Sequence, residues 1–237
     1  MRVAGIQPGY LPWLGYFDQM RRVDAFIVAD EMQFTTSGWA HRNRVRAPHG
    51  PHWLTVPVRY SLGQPIHEVQ LSPHVPWAHQ HLEWLDHFYR RSPHRTEILA
   101  EISPFLLRPA QRLVEVTVPL LHHLRDLLGI STPLLVSSEL GLEKVYADRF
   151  PEKPGPTHRI VAFLQHLGAT SLLQGETARA YLDVELCRRY GIAVEFHHYQ
   201  HPQYPQLFAP FISHLSVIDL LLCCGVDESR RVLFSVP

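Results

Sequence analysis

Seven candidate side chains for binding or catalysis are singled out within the first 43 residues: Gln7, Tyr10, Asp30, Gln33, His41, Arg42 and Asn43. Most are neutral hydrogen-bonding groups, a set that suits a polar organic substrate better than a bare phosphate chain. His41 is the first candidate for a general base, because an unperturbed imidazole titrates near neutrality. Asp30 is the second. Arg42 offers a planar fork suited to a carboxylate, a phosphate or a developing oxyanion. In an extended "WAHRNRVR" segment, His41 and Asn43 fall on one face and Arg42 and Arg44 on the other. Further along, "SSEL" (137–140) supplies Ser137, Ser138 and Glu139, either as a hydroxyl pair with a carboxylate or as a helix cap. Gly175 and Glu176 follow a later apolar run, and Tyr204 and Gln206 lie in a proline-stiffened loop near the end. The expected substrate-binding residues are Gln7, Tyr10, Gln33, Arg42, Asn43, Ser138, Gly175, Tyr204 and Gln206.

Other chemistries find little support. There is no GxSxG elbow for a serine nucleophile, no GxGxxG dinucleotide fingerprint and no P-loop. The 17 histidines raise the question of a metal. The densest cluster, "HHYQH" (197–201), sits in a strand-like segment before Pro202, where HxxxH cannot align two ligands as a helix would. No metal site is expected. Cys187, Cys223 and Cys224 lie in apolar helical runs and read as core thiols. Lys+Arg and Asp+Glu both total 22, and this balance argues against a broad nucleic-acid surface. It leaves room for a local basic patch. No apolar run reaches 18 residues, so no transmembrane helix is expected, and the cytoplasm is the default location.

These residues need elements to position them. "RVAGI" and "AFIVAD" read as buried strands around a short helix, "LGYFDQMRRV", which makes a βαβ unit and favours a parallel sheet. Residues 31–52 form a long polar loop with room for a short hairpin. "WLTVPVRY" and "IHEVQLS" read as strands of a small antiparallel annex. Residues 75–130 are a mainly helical insertion, with Gly129 as a C-cap. The α/β alternation then resumes: strand "TPLLVSSEL", helix "THRIVAFLQHLG" capped by Thr157, strand "TSLLQG", helix "AYLDVELCRRYG", strand "IAVEFHHY" and a helix ending at Gly225. The expectation is one α/β domain over residues 1–237, with a parallel sheet, a helical insertion and an antiparallel annex.

The densest segment is "QPGYLPWLGYF" (7–17). Pro8 and Gly9 make a turn, Pro12 suits the first turn of a helix, and Trp13, Tyr16 and Phe17 back it with aromatic packing. With "RNRVR", "WLTVPV", "LGATSLLQGETARAYLD" and "YPQLFAPFISHLSVIDLLLCCG", this segment resembles the WbqC-like protein family over nearly the whole chain. The family pattern falls on Gln7, Tyr10, Trp13, Asp30, Gln33, Arg42, Asn43, Trp53, Gly175, Tyr204, Gln206 and Asp219, among others. His41, Gln174 and Cys224 depart from it. The resemblance implies a role in surface-polysaccharide or natural-product biosynthesis, with acyl or aminoacyl transfer to an amine as the suspected chemistry. A fainter similarity of layout, strand–turn–helix–strand, is to nucleotidylyltransferase-like folds such as pantothenate synthetase. Their HxGH reads "YLPW" here.

The functional expectation is a transferase forming an amide on an amino sugar or natural-product intermediate. Alternatives are an ATP-dependent adenylate-forming or nucleotidyl-transferring enzyme and a non-catalytic module for a nucleotide-linked metabolite. No cofactor is fixed by the sequence. The reaction implies an activated acyl donor: aminoacyl-tRNA, acyl-CoA or an ATP-derived adenylate. The expected partners are a small-molecule substrate and, for one donor, a charged tRNA; the sequence leaves the oligomeric state open.

Overall fold

The structure, a computed structural model, describes residues 1–236. In chain order, strand β1 (Arg2–Ile6) leads to helix α1 (Leu14–Arg21) and strand β2 (Ala25–Val28). Strands β3 (Arg42–Ala47) and β4 (Gly50–Thr55) form a hairpin, and β5 (Val58–Arg59) pairs with β6 (Gln70–Leu71). Helices α2 (Trp77–Phe88), α3 (Arg95–Leu106) and α4 (Val114–Leu127) follow. The chain then runs through β7 (Leu134–Val136), α5 (Leu142–Arg149), α6 (Pro156–His166), β8 (Ser171–Gly175), α7 (Val184–Arg189), β9 (Ala193–His197) and α8 (Val217–Ser235). These elements form two compact units. The first comprises residues 1–6, 19–31 and 131–199; the second comprises residues 7–18 and 32–130 and resumes at Gln200. No helix among the described residues is long and apolar enough to cross a membrane.

The first unit carries a five-stranded parallel sheet in the order β7-β2-β1-β8-β9. Counted along this sheet alone the order is 3-2-1-4-5, a Rossmann-like arrangement that reverses between β1 and β8. The expected α/β class with a parallel sheet is what the structure shows. β2 is buried along its whole length, which explains its unbroken apolar run. Val3, Ile27, Val161, Leu164, Leu172 and Ile192 lie in one core, and each such buried side chain contributes roughly 1.5–3 kcal/mol.

The two central strands part company early. β1 stays paired with β2 from Val3–Ala25 to Ile6–Val28, but it pairs with β8 only at Arg2–Ser171 and Val3–Leu172. One residue beyond that last pair, Gln19 Nε2 donates to the Leu173 carbonyl at 2.9 Å. Gly5, Ile6 and Gly175 are only half-buried although they end the middle strands of the sheet.

In the second unit the β3–β4 hairpin sets Arg42 opposite Thr55 and Arg44 opposite Trp53. Its other face buries Asn43, Val45, Ala47 and Leu54. The annex pairing of β5 with β6 is antiparallel, as expected. The helices bury residues at helical spacing: Trp77, His81 and Leu85 in α2, Ile98, Ile102 and Leu106 in α3, and Leu120 and Leu124 in α4. Gly129 closes α4 with φ 73°.

Several local expectations are corrected. "IHEVQLS" forms a 3-10 turn (Ile66–Glu68) behind Pro65, and only Gln70–Leu71 is strand. Thr157 does not cap α6: Pro156 takes the first helical position, which proline favours, so the cap moves to Gly155. Thr157 Oγ1 instead accepts from Asp183 N at 3.0 Å. Asp183 in turn caps α7, accepting from Leu186 N at 2.8 Å, so that helix starts later than its apolar pattern suggests. The last helix breaks at Gly225 (φ 74°, ψ 175°) but resumes to Ser235, since nothing after Gly225 opposes a helix. A Cβ at Gly225 would lie 2.6 Å from His94 Nδ1.

Candidate functional site

In an open parallel sheet, ligands sit beyond the carboxyl ends of the strands where the order reverses. Here that place is the carboxyl end of β1 and β8, beyond the last pair of their ladder. Gly175 sits at its rim with extended backbone (φ −66°), and a Cβ there would meet nothing within 4 Å. The small residue keeps space open at the strand end. Glu176, next in the chain, pairs with Arg179 (2.7 Å) and with His198 Nδ1 (2.9 Å).

At the carboxyl ends of β2 and β7, also in the first unit, Asp30 meets the serine pair. Asp30 Oδ1 accepts from Ser137 Oγ (2.8 Å) and Ser138 N (2.9 Å), and Oδ2 accepts from Ser138 Oγ (2.6 Å). Ser137 Oγ accepts from Glu31 N at 3.2 Å. The serines are therefore not helix caps; α5 starts after Gly141, which takes a left-handed conformation (φ 61°). Asp30 and Ser137 are buried, whereas Ser138 is half-exposed. Each serine hydroxyl that donates to Asp30 retains lone pairs to accept a proton.

The second unit holds the remaining sequence candidates. Gln7 is half-buried, and its carbonyl accepts from Tyr16 Oη at 3.3 Å, which fastens the turn as its aromatic content suggests. Gln33 is exposed and bridges Pro65 through its backbone. Tyr10 is fully buried, its hydroxyl 2.8 Å from His81 Nδ1, so it presents no surface to a ligand. Burial holds the His81 imidazole down near pKa 4, so it stays neutral and serves as a partner for the tyrosine. Asn43 is likewise buried. Its Nδ2 donates to the Leu11 carbonyl (2.8 Å) and its Oδ1 accepts from Arg44 N (2.8 Å). Leu11 has φ 47°, a left-handed conformation costly for a branched side chain, and Asn43 helps hold it. Asn43 is thus a turn fastener in this structure.

His41 is buried against Phe34, edge to face at 5.1 Å. Its pKa is lowered to about 4, first by burial and then by the neighbouring Arg42 charge. Its Nδ1 has no hydrogen-bond partner. Arg42 donates to the carbonyls of Gly38 (3.3 Å) and Ser37 (3.1 Å) and lies over the Trp53 ring at 4.6 Å.

Tyr204 and Gln206 are drawn into a buried network. Asp219 accepts from Tyr204 Oη (2.8 Å), Gln206 Nε2 (2.8 Å) and Tyr89 Oη. Gln206 also exchanges hydrogen bonds with the backbone of Ile212 (2.8 and 2.9 Å). Burial raises the Asp219 carboxyl above its ordinary range, against these hydrogen bonds and the nearby Arg46 charge. Arg46 is buried and donates to the carbonyls of Ala47, Ala209 and Pro210. Sequence reasoning missed this role for Arg46; its place as the third alternate arginine of "RNRVR" was the available signal. The cysteines behave as core thiols. Burial raises all three, Cys224 to about 11.

The WbqC-like protein family matches residues 7–231. The chain belongs to the WbqC-like protein family. Within it, "Uncharacterized protein Rv1507c" of Mycobacterium tuberculosis (strain ATCC 25618 / H37Rv) is 34% identical over 230 residues, covering 95% of each chain. The WbqC-like match begins at Gln7 and takes in both the serine clasp on Asp30 and the arginine-bearing hairpin.

Proposed function

We propose that this WbqC-like protein is a biosynthetic transferase that forms an amide by passing an acyl or aminoacyl group to an amine, on an amino sugar or a natural-product intermediate. The observation that supports it most is the early end of the β1–β8 ladder, at the reversal of strand order in a Rossmann-like sheet that carries no glycine-rich phosphate loop. Such a site favours a polar organic substrate held by neutral groups. In the reaction the amine nitrogen attacks the acyl carbonyl, the donor's alcohol, thiol or phosphate departs, and the amine loses one proton. Ser138 and Asp30 suit that last step. The Ser138 hydroxyl, 2.6 Å from Asp30 Oδ2, accepts the proton and hands its own to the carboxylate. A weak base is enough, because the nitrogen becomes strongly acidic once it has attacked. His41 is the lesser choice, since it is buried against Phe34.

The test is a donor and acceptor panel, with aminoacyl-tRNA, acyl-CoA and ATP plus carboxylic acid offered to amino sugars, read by mass spectrometry for the acylated amine. Ser138→Ala is expected to slow a productive pair about a hundredfold, in the range of one acid–base contribution. An unchanged rate would remove Ser138 and Asp30 from the chemistry. A second reading, adenylate formation or nucleotidyl transfer, is favoured by the 3-2-1-4-5 strand order. It predicts ATP–pyrophosphate exchange in the absence of any amine.

A further inference from the structure

The proposed reaction assigns no role to the exposed face of the β3–β4 hairpin. Trp39 and Trp53 are 48% and 40% exposed, whereas Trp77 is buried. Their rings stack with centroids 5.5 Å apart and planes 27° from parallel. Arg42 lies over Trp53 at 4.6 Å, and the Arg44 guanidinium lies 5.5 Å from the Trp53 ring and 5.8 Å from Trp39. Both arginines share one face with Trp53 because the register sets Arg44 opposite Trp53 and Arg42 opposite Thr55. Trp39 is fixed from below, its carbonyl accepting from Tyr10 N at 3.1 Å.

Several arginines elsewhere in the fold have carboxylate partners, and these two do not. Arg2, Arg112, Arg179 and Arg188 each pair with a carboxylate. Among the described residues no carboxylate forms an ion pair with Arg42 or Arg44. Arg42 is braced by two neutral carbonyls. No hydrogen bond holds the Arg44 guanidinium among the described residues, and its Nε is buried without a partner. Two cations without counter-charges beside two exposed indoles form a face that offers π surface and anion-binding forks together. The aromatic surface continues: Trp13 stacks on His214 at 5.1 Å, His214 on His201 at 4.8 Å, and Ser216 N ties this loop to the Arg44 carbonyl at 2.8 Å.

We propose that this face binds a nucleotide, its base stacked on the outer face of Trp39, which Trp53 backs, and its phosphates held by Arg42 and Arg44. The chemistry selects this class. Arginine forks match phosphate oxygens, and indoles stack on any base. A neutral sugar leaves both guanidiniums unanswered, and an acidic peptide leaves the indole faces uncovered. The chain's zero net charge favours a mononucleotide, free or linked to a metabolite, over a long nucleic acid.

Calorimetric titration with ADP, GDP and UDP tests this, with adenosine and inorganic pyrophosphate as half-ligands. At least one diphosphate is expected to bind saturably, with each half-ligand about tenfold weaker or more, and binding is expected to fall as salt rises. Trp53→Ala and Arg44→Gln are exposed-face changes. Each is expected to keep the circular dichroism spectrum and weaken binding about tenfold, in the range of one stacked base. The test is separable from that of the acyl-transfer reading, because equilibrium binding needs neither acyl donor nor acceptor. Absence of binding by all three diphosphates overturns the proposal. So does binding that ignores both Trp53→Ala and Arg44→Gln, or binding of a single-stranded RNA 12-mer when every mononucleotide fails.

Discussion

His41, His81 and His201 each have their pKa lowered to about 4, chiefly by burial. The folded values lie below the ordinary 6.5, so between pH 4 and 6.5 the unfolded chain binds more protons than the folded one. Their stabilising effect is full above about pH 6.5 and is lost as pH falls through that window. Urea midpoints taken from pH 7.5 down to 4.5 are expected to drop with a slope of more than one proton. His41→Leu is expected to reduce that slope by about one proton and to change stability little at pH 7.5, because its Nδ1 makes no hydrogen bond to lose. An unchanged slope would contradict the assignment. Asp219 acts in the opposite sense. Its raised carboxyl keeps its proton longer in the folded state, so its contribution declines as pH rises through the folded value. Asp219→Asn would set an amide N–H₂ against donors that now point at a carboxylate. It is expected to cost roughly 2–4 kcal/mol in urea unfolding. At this scale the sequence identified residue types better than roles. Tyr10, Asn43, Tyr204 and Gln206 stood out as polar groups beside turns, but their partners His81, Leu11 and Asp219 lie far along the chain or inside it. No local pattern tells a buried, satisfied amide from one that faces a ligand.

At the scale of elements, the strand ends matter most. The β1–β8 ladder stops after Val3–Leu172, and Gly175 ends β8 with open space beside its Cα. Valine is compatible with extended backbone at φ −66°, and its Cβ would meet nothing within 4 Å, so its branches extend into the space at the strand end. Gly175→Val is therefore expected to leave the melting temperature nearly unchanged while abolishing acyl transfer. Unaltered turnover would mean the substrate lies elsewhere. The elements themselves were largely legible: "RVAGI", "AFIVAD" and "TSLLQG" each announced a strand, and each is one, although only β2 is buried throughout. What the sequence hid were boundaries set by single residues, such as Pro156 moving a cap to Gly155. The early divergence of two strands was also hidden, since it depends on what packs between them.

For the whole molecule, the alternation of strands and helices made the α/β class readable, and the 3-2-1-4-5 order followed from which parallel strands paired. The division into two interleaved units was not readable. Residues 7–18 and 19–31 are continuous in sequence yet belong to different units, a partition fixed by long-range packing alone. The balanced overall charge likewise concealed the local cationic face of the hairpin, because a count of 22 against 22 carries no position. The central claim concerns the reaction of this WbqC-like chain, and one measurement addresses it most directly. Wild-type and Gly175→Val protein are incubated with an activated acyl donor and an amino sugar, and the products are followed by mass spectrometry. The account predicts an amine heavier by one acyl group minus a proton with wild type, and none with Gly175→Val. ATP–pyrophosphate exchange with no acylated amine from any donor would contradict it.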